Sequence, residues 1–389
     1  MKDMKNIINI VVILIFVILF SFCVQKKNEP NLSIKTIELN PNNSTNLLST
    51  DSLVEKVVYI PISDSILIGD IYKMLQYKEK FIILDRTKTH SVFIIDQTGK
   101  NIIQINKQGA GPEEYIDPKD ISIDYKTEDL FVFCGRTHRL ISYDLNGNYR
   151  KEDKIQKKYN SHIVHKIGSN YALFVSYKES PLSKQGQQYP NLALISGTDQ
   201  KEIATAEYFQ SDFLFKRPWF VGKDFADINK NIISINPEHS NMVYHITPTS
   251  ITPKYFIDFG DYNLDSEYLE KIKRHKVSDP IENETKGYCI IMRYTESDKY
   301  IFLTYMYNNE LYYVLFSKKS NKILHFQYTD KPLFYSKYYL VGNKIYSFID
   351  PYNLRNDTLL KSNTELSILQ EEVIETSNPI IVETTLRDF

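Results

Sequence analysis

Short apolar segments separated by polar turns recur along most of the chain. Phe81–Asp85 and Ser91–Asp96 form one such pair of segments, and Leu130–Phe133 with Leu140–Asp144 form a second pair about 48 residues later. Runs of four to six residues rich in Ile, Phe, Val and Tyr, bounded by polar turns, are typical of short buried strands. The pattern therefore predicts strands that come in regularly spaced groups.

Weaker copies of the same pair follow. They are Ala172–Val175 with Leu192–Ile195, Ile232–Ile235 with Met242–Ile246, Tyr300–Leu303 with Leu311–Phe316, and Tyr338–Val341 with Lys344–Phe348. The first two pairs each end in Asp-x-x-Gly, which puts Gly99 and Gly147 where a hairpin needs a positive φ. A period of about 40–50 residues predicts an all-β fold, a six-bladed β-propeller of four-stranded antiparallel blades. A β-sandwich is the alternative, but it does not explain the recurrence.

Two segments interrupt the repeat, and the chain ends outside it. Asp265–Lys276 has helical apolar spacing and Ser266 as a potential cap, which predicts a short helix inserted between two blades. Lys178–Pro190 is a polar insertion. Thr364–Glu375 predicts a second helix, followed by a last strand at Pro379–Val382. The propeller thus has an inserted helix and a C-terminal helix–strand tail.

A closed ring needs one blade that joins the two ends of the chain. Val57–Ile60 is a candidate for a strand donated to the blade around Ile345, and Pro379–Val382 is a candidate from the other end. The pattern does not decide which terminus supplies the closing strand.

The N-terminus predicts export. Lys2 and Lys5 precede an apolar stretch over 10–20, which predicts a signal peptide at residues 1–22. Cys23 follows and resembles the lipidated cysteine of a bacterial lipobox, although Phe22 departs from the small residue expected before it. We expect a lipid anchor at Cys23, a flexible linker over 23–50 and the propeller over 51–389. An uncleaved N-terminal anchor is the alternative.

The composition of the chain argues against several classes of binding partner and cofactor. The chain has 47 basic and 48 acidic residues and a net charge of −1, which argues against nucleic acid as a partner. Cys134 and Cys289 lie in apolar stretches, and no Cys-x-x-Cys motif is present, so we expect neither a structural zinc nor another metal or cofactor. The ligand is a small molecule, a glycan or a protein, and we expect a monomer.

Two segments carry a family resemblance. Thr137–Gly147, with His138-Arg139-Leu140 and Asp144-x-x-Gly147, resembles an NHL repeat. Gln108–Tyr115 is similar to the Gly-x-Gly-Pro-x-Glu-Tyr motif of six-bladed β-propeller lipoproteins exported by Gram-negative gut bacteria. This resemblance covers about residues 50–389 and implies the propeller fold. It implies little chemistry, because a fold alone does not determine an activity.

The glycine-rich segment has two interpretations. It lacks the Gly-Lys-Ser/Thr ending of a phosphate loop, so we expect Gly109 and Gly111 to adopt backbone angles closed to other residues and Pro112 to fix a turn between blades. The alternative is that the residues following this turn line the mouth of the central channel and bind a ligand. These residues are Glu113, Glu114 and Tyr115.

Three of the histidines occupy equivalent turns in different repeats. They are His90, His138 and His239, and their equivalence predicts a repeated structural hydrogen bond. The alternative is a ring of histidines that binds a metal on the axis. Several carboxylates recur at strand ends, where we expect most to form turns: Asp85, Asp96, Asp120, Asp124 and Asp144.

Catalytic motifs are missing from the sequence, and the polar insertions offer the remaining binding candidates. No nucleophile elbow and no placeable catalytic pair is present. Arg217 and Trp219 lie near the two insertions in sequence and are candidate ligand-binding residues. We therefore expect an exported, lipid-anchored binding or scaffold module of the cell envelope. A channel-centred lyase or hydrolase, metal-dependent or not, is the alternative.

Overall fold

The computed structural model of the protein describes residues 33–159, 161–175, 188–210, 224–274, 285–330, 337–356 and 364–389. The strands of these ranges are β1 (Lys35–Glu38), β2 (Thr45–Leu48), β3 (Val54–Pro61), β4 (Lys73–Tyr77), β5 (Lys80–Asp85), β6 (Ser91–Asp96), β7 (Ile102–Ile105), β8 (Pro118–Asp124), β9 (Asp129–Cys134), β10 (Arg139–Tyr143), β11 (Tyr149–Lys154), β12 (Ser161–Ile167), β13 (Asn170–Val175), β14 (Gln188–Ile195), β15 (Glu202–Gln210), β16 (Ala226–Asn229), β17 (Ile232–Ile235), β18 (Met242–Thr247), β19 (Ser250–Asp258), β20 (Ile290–Glu296), β21 (Tyr300–Tyr307), β22 (Glu310–Ser317), β23 (Ile323–Thr329), β24 (Tyr338–Val341), β25 (Lys344–Ile349) and β26 (Ile380–Leu386). The helices are α1 (Thr50–Leu53), α2 (Ser266–Arg274), α3 (Pro351–Asn356) and α4 (Thr364–Glu372), with 3₁₀ turns at Pro41–Asn43 and Gly260–Tyr262.

Six antiparallel sheets, which we call blades 1 to 6, form a ring. Blades 1 to 5 are β4–β7, β8–β11, β12–β15, β16–β19 and β20–β23, and blade 6 contains β24, β25, β26 and β3. The first strands of neighbouring blades contact one another, which places them around the central axis. The fold is a six-bladed β-propeller, as the repeat predicts.

Apolar side chains fill the space between every two neighbouring blades. In blades 1 and 2 the two middle strands are buried along nearly their whole length, and their alternating side chains enter the cores on both sides. Each core contains residues of both blades: Ile94 with Val132, Phe133 with Leu173, Leu194 with Ile233, Ile257 with Leu303, Phe302 with Ile345, and Phe348 with Phe81. The last pair joins blade 6 to blade 1 and closes the ring.

Both ends of the chain contribute to the closing blade. The N-terminal strand β3 is the outermost strand of blade 6 and pairs antiparallel with β26, with Tyr59 opposite Val382 and Ile60 opposite Ile381. The three inner strands come from the C-terminal end. The two candidate strands of the sequence therefore pair with each other.

Two short strands extend blades 4 and 5 at their outer edges. β1 pairs parallel with β19, with Lys35 opposite Tyr255, and β2 pairs parallel with β23, with Thr45 opposite Phe326. The predicted flexible linker over 23–50 includes these residues. That prediction does not hold for Lys35–Glu38 and Thr45–Leu48, because they pair with the outer strands.

Most of the repeat is assigned correctly by the sequence, with one shift. The apolar pairs are the second and third strands of blades 1 to 5, but in blade 6 they are the first and second. The third strand of that blade, β26, comes only after α3 and α4, so the spacing breaks there. Gly99 and Gly147 have φ of 75° and 83°, which confirms the glycine turns.

The inserted helix is present as α2. The carboxylate of Asp265 accepts a hydrogen bond from the backbone N–H of Tyr268 at 2.8 Å, so Asp265 caps the helix where the sequence suggests Ser266. Tyr268 is fully buried and packs on Tyr288. The second predicted helix is α4. Within the described ranges, none of the helices has the length and hydropathy needed to span a bilayer.

A buried charge network joins blades 4 and 5. The carboxylate of Glu296, with no exposed surface, lies 2.5 Å from Lys318 Nζ and 3.0 Å from His245 Nε2. The hydroxyl of Tyr294 donates to its second oxygen at 2.5 Å. Burial alone would raise the pKa of Glu296, but the contacts with His245 and Lys318 hold that pKa below its usual value of 4.5.

We expect Glu296→Gln to lower the free energy of unfolding at pH 7 by about 3 kcal/mol, because it leaves Lys318 without its buried partner. A carboxyl whose pKa is depressed by folding stabilises the protein above its unfolded pKa and loses that contribution as the pH falls through the folded pKa. The difference between wild type and variant should therefore shrink below about pH 4.5. Urea unfolding from pH 7 to pH 3 measures it.

The matched control is Asp388→Asn, which removes an exposed ion pair with Lys319. We expect no measurable change there, because water screens such pairs. A Glu296→Gln protein as stable as wild type at pH 7 would contradict the role of the network.

Ring closure by β3 predicts different stabilities for three N-terminally truncated proteins. A protein that begins at residue 34 should unfold in one cooperative transition. A protein that begins at residue 62 lacks β3, which leaves β26 as an open edge, and should aggregate or unfold without cooperativity. A third protein beginning at residue 50 keeps β3 without β1 and β2 and should fold with a lower melting temperature. Equal melting temperatures for all three, measured by circular dichroism, would contradict closure by β3.

Candidate functional site

The first strands of blades 2 and 3 run in the same direction along the axis. In two adjacent blades, the backbone N–H of Val164 donates to Asp120 Oδ2 at 3.0 Å, and two residues further along, that of Lys166 donates to Ser122 Oγ at 3.2 Å. Residues at the starts of these strands therefore meet at one end of the channel, and residues at their ends meet at the other.

A cavity of about 300 Å³ lies between the first strands. Its lining comes from Lys73–Lys78 of blade 1, Asp224–Asn229 of blade 4, Arg293–Thr295 of blade 5 and Tyr338–Val341 of blade 6, with Tyr125 from blade 2. The segments of blades 1, 4 and 6 span the full length of their first strands, and that of blade 5 covers the second half of its strand, so the cavity follows the channel. Its volume is at the lower end of the range for small-molecule sites.

A buried ammonium group lies between two carboxylates at one end of this cavity. Lys73 Nζ is 2.7 Å from Asp120 Oδ1 and 3.4 Å from Asp224 Oδ1. Lys73 and Asp120 are each 1% exposed, whereas the side chain of Asp224 is 24% exposed. Three blades thus contribute one charge each to the same point.

Burial and charge act in opposite directions on these groups. Burial alone would lower the pKa of Lys73, but Asp120 and Asp224 raise it above its usual value, so Lys73 is protonated. Burial raises the pKa of Asp120 even though Lys73 lowers it, and Asp224 adds repulsion. The desolvation of Asp120 therefore outweighs its ion pair, as expected when one cation is shared by two carboxylates.

A second pair lies next to the first. His165 Nε2 is 3.0 Å from Asp227 Oδ1, and the two side chains are 1% and 20% exposed. Tyr125 is hydrogen-bonded to Asp227, and burial together with that carboxylate raises the pKa of Tyr125. The ring of Tyr125 stands edge-on to that of Tyr77 at 5.5 Å, which forms an aromatic wall of the cavity.

Arg293 brings a positive charge to the cavity from blade 5. Its guanidinium lies 5.8 Å from the ring of Tyr338, and within the described ranges it is neither ion-paired nor hydrogen-bonded through its side chain. A charged side chain without a carboxylate partner, facing a cavity, is available to a ligand.

Irregular pairing aims several of these side chains. The register of the first strand with the second shifts between Pro118 and Asp120 in blade 2, and between Ile291 and Arg293 in blade 5. Blade 4 has a similar shift after Asp227. Such bulges re-aim side chains and are common next to functional sites.

The described residues include no group of three or more His, Cys, Asp or Glu side chains placed to hold a metal ion. The small cavity is lined by carboxylates, a lysine, an arginine and phenols. This combination suits the binding of a polar molecule.

The residues predicted from the glycine-rich segment lie away from this cavity. Tyr115 is fully buried between blades 1 and 2, and its hydroxyl donates to the carbonyl of Ile105 at 2.6 Å. Glu113 is exposed and lies 3.4 Å from Lys107. Glu114 folds back, and its carboxylate accepts from the backbone N–H of Gly111 at 2.8 Å. None of the three lines the channel cavity, and binding by Glu113 and Glu114 stays a prediction.

The two glycines of this segment lie close to the carboxylate of Glu114. Neither Gly109 nor Gly111 has a positive φ, so the predicted backbone angles are wrong. A Cβ on Gly109 would lie 2.0 Å from Oε2 of Glu114, and one on Gly111 would lie 3.0 Å from the same atom. The absence of a side chain at Gly109 thus leaves room for this carboxylate, which a larger residue would displace.

Arg139 connects the two motifs of the family resemblance. Its guanidinium donates to the carbonyls of Gly111, Pro112 and Glu114 at 2.8–3.0 Å and to Glu152 at 2.6 Å. The fork of the guanidinium thus holds the turn that leads from blade 1 into blade 2. This role is structural, which fits the first interpretation of the segment.

The three equivalent histidines share a backbone conformation. His90, His138 and His239 have φ of 49°, 55° and 53°. The expected hydrogen bond does not repeat: Nδ1 of His239 lies 2.7 Å from the hydroxyl of Tyr268, whereas Nδ1 of His90 and of His138 has no partner among the described residues. Their equivalence therefore reflects the left-handed turn position.

Three candidates, Arg217, Trp219 and Cys23, lie outside the described residues, as does most of the Lys178–Pro190 insertion. Most of the carboxylates at strand ends form turns, as predicted. Four of the five accept hydrogen bonds from backbone N–H groups of the following turn: Asp85, Asp96, Asp124 and Asp144. Asp120 does not.

The apolar pattern does not identify the charged residues in and beside the cavity as a site, and it places Asp120 only among the carboxylates expected to form turns. Five of these residues each lie in the first strand of a different blade: Lys73, Asp120, His165, Asp227 and Arg293. The usable signal was an ionisable residue shortly before each apolar pair, at the strand that faces the axis.

The chain belongs to the family DUF4934, a domain of unknown function, which matches residues 34–385. Among solved structures, it is similar to a Bacteroides fragilis protein described as exported, with a TM-score of 0.72 and 17% identity over 92% of this chain and 100% of that chain. A DUF4221 family member from Bacteroides vulgatus gives a TM-score of 0.52 and 12% identity over 86% and 97%. These similarities support the fold. Comparison with curated proteins finds no match.

We expect Arg139→Lys to lower the free energy of unfolding by about 2 kcal/mol, because one ammonium group cannot reach three carbonyls and a carboxylate in a fork. Urea unfolding at pH 7 measures this change. Arg150→Lys, at an exposed pair with Asp144, is the matched control and should change nothing measurable. Equal stability of both variants would contradict the role of Arg139.

Proposed function

We propose that this DUF4934 protein is an exported binding module of the cell envelope, anchored by a lipid at Cys23, which holds a small polar ligand in its central channel. The charged cavity carries this proposal. Arg293, Asp224 and Asp227 face it from two blades, and the first shows no ion pair within the described ranges.

The free-energy cost of desolvation makes the charged cavity informative about function. Ionisable groups in a protein interior cost free energy unless they are paired, and apolar residues of similar volume are often at least as stabilising. Apolar side chains fill most of the space between the blades, and the buried carboxylate of Glu296 there has a full set of partners, so the packing of the blades does not require surplus charge at the axis. A ligand is the simplest reason for them.

The cell location rests on different support. The signal peptide at residues 1–22 and the cysteine that follows favour export and lipidation, although Phe22 departs from the lipobox pattern. The description of the Bacteroides fragilis structure as an exported protein agrees with this. Mass spectrometry of the mature N-terminus tests the anchor: an acylated Cys23 supports it, and an intact Met1 contradicts it.

A second candidate is the channel-centred enzyme, a lyase or hydrolase. It requires acidic or histidine side chains from several blades at the axis, and Asp120, His165 and Asp227 meet that requirement. The chemical fate of the ligand separates the two candidates. A binding module returns it unchanged after incubation with substoichiometric protein, whereas an enzyme converts it.

We expect the purified protein to retain a small molecule from a polar extract of its host cells, detectable by native mass spectrometry as a discrete mass increment. Thr295→Trp should abolish the increment by filling the cavity. Thr249→Trp, at an exposed turn of blade 4, should retain it. Circular dichroism checks that both variants fold. Retention of the same mass by folded Thr295→Trp would contradict binding in the channel.

A further inference from the structure

The cavity presents charges of both signs on neighbouring strands. Asp224 lies at the start of the blade 4 segment and Asp227 in its first strand, while Arg293 lies in the first strand of blade 5. The first strands of these two blades are in contact. The carboxylate side chains are 24% and 20% exposed, so part of each faces the cavity.

The carboxylates of blade 4 are incompletely compensated. Asp224 shares Lys73 with Asp120, which leaves two carboxylates for one ammonium group. Asp224 Oδ1 lies 3.4 Å from Lys73 Nζ and Asp227 Oδ1 lies 3.0 Å from His165 Nε2, but neither buried oxygen has a partner with hydrogen-bond geometry among the described residues. Surplus negative charge and unsatisfied acceptors in an interior are costly, and a cationic donor placed beside them offsets that cost.

A fully buried neighbour adds an independent observation. His165 is 1% exposed and lies 3.0 Å from Asp227 Oδ1, yet neither of its ring nitrogens has a hydrogen-bond partner among the described residues. Its ring is held edge-on against Phe225, at a centroid distance of 5.9 Å. This buried polar group therefore lies against a carboxylate that itself lines the cavity.

Aromatic rings complete the walls. Tyr77 and Tyr125 stand on the side of Asp227, and Tyr338 stands beside Arg293. Rings of this kind stabilise an ammonium group through their faces and accept an apolar body between the two charged ends.

We propose that the channel ligand is a small zwitterion, an amino acid or short peptide, whose ammonium group binds Asp224 and Asp227 and whose carboxylate binds Arg293. This inference rests on the proposed binding function and names its ligand class. The cavity disfavours ligands that carry only one sign of charge. A purely anionic ligand would meet the carboxylates of blade 4, and a purely cationic one would meet Arg293, whereas a zwitterion can place each charge beside its opposite.

Capped ligands test the two ends separately. The full chain in detergent is titrated by calorimetry with the common L-amino acids and with glycyl dipeptides. For the best binder, the N-acetyl derivative and the C-terminal amide should each bind at least about tenfold more weakly, because each loses one charge-assisted contact.

Substitutions test which residue binds each charged group of the ligand. Arg293→Gln should weaken the free acid about tenfold and leave the amide unchanged. Asp227→Asn should weaken the free amine and leave the N-acetyl derivative unchanged. Arg150→Gln and Asp298→Asn make the same changes at exposed positions and should have no effect. Because Arg293 has no ion pair within the described ranges, its variant should keep the wild-type melting temperature.

Three results would overturn the proposal. The first is that none of the free amino acids or dipeptides binds, and the second is that capping has no effect. The third is a loss of melting temperature in ligand-free Arg293→Gln, which would make the arginine structural. If a molecule of another class is retained and Thr295→Trp abolishes its retention, the binding function stands and only the zwitterion is wrong.

Discussion

Each blade is a four-stranded sheet with two apolar faces, and neither face can be left in water without losing most of what stabilises the sheet. Six cores, each made from two blades, solve this problem together, and the solution holds only if the sixth blade meets the first. Pairing of β3 with β26 makes that possible, because it builds blade 6 from both ends of the chain. Closure of the ring is therefore the constraint on which the stability of every blade depends.

The same closure concentrates polar chemistry at the axis. A first strand has neighbours on one edge only, so its other edge and part of its side chains face the channel and not a core. Charges that the interblade cores exclude are tolerated there, and bulges at Asp120 and Arg293 aim two of them inward. Away from the cavity, a buried charge has a full set of partners. The carboxylate of Glu296, at the end of the first strand of blade 5, is surrounded by three of them.

The sequence predicts the architecture well because the middle strands of the blades are recognisable as apolar runs. Residues such as Ile82, Ile94, Val132 and Leu173 are buried in unbroken apolar runs, and their spacing gives the number of blades. The first strands do not follow that pattern, so Lys73 and Asp227 could not be recognised as neighbours. Their proximity is a product of the ring, which brings together residues more than one hundred positions apart. The close approach of Gly109 to the carboxylate of Glu114 is likewise a product of the folded turn, and the glycine-rich pattern alone does not show it.

The N-terminal segment has a structural consequence for the cavity. β1, β2 and β3 extend or complete blades 4, 5 and 6 in turn, and these are the blades that provide Asp227, Arg293 and Tyr338. The segment that follows the expected lipid anchor is thus hydrogen-bonded to the outer edges of three blades whose inner edges line the cavity. The position of the N-terminal strands is therefore part of the geometry of the three sheets that line most of the cavity.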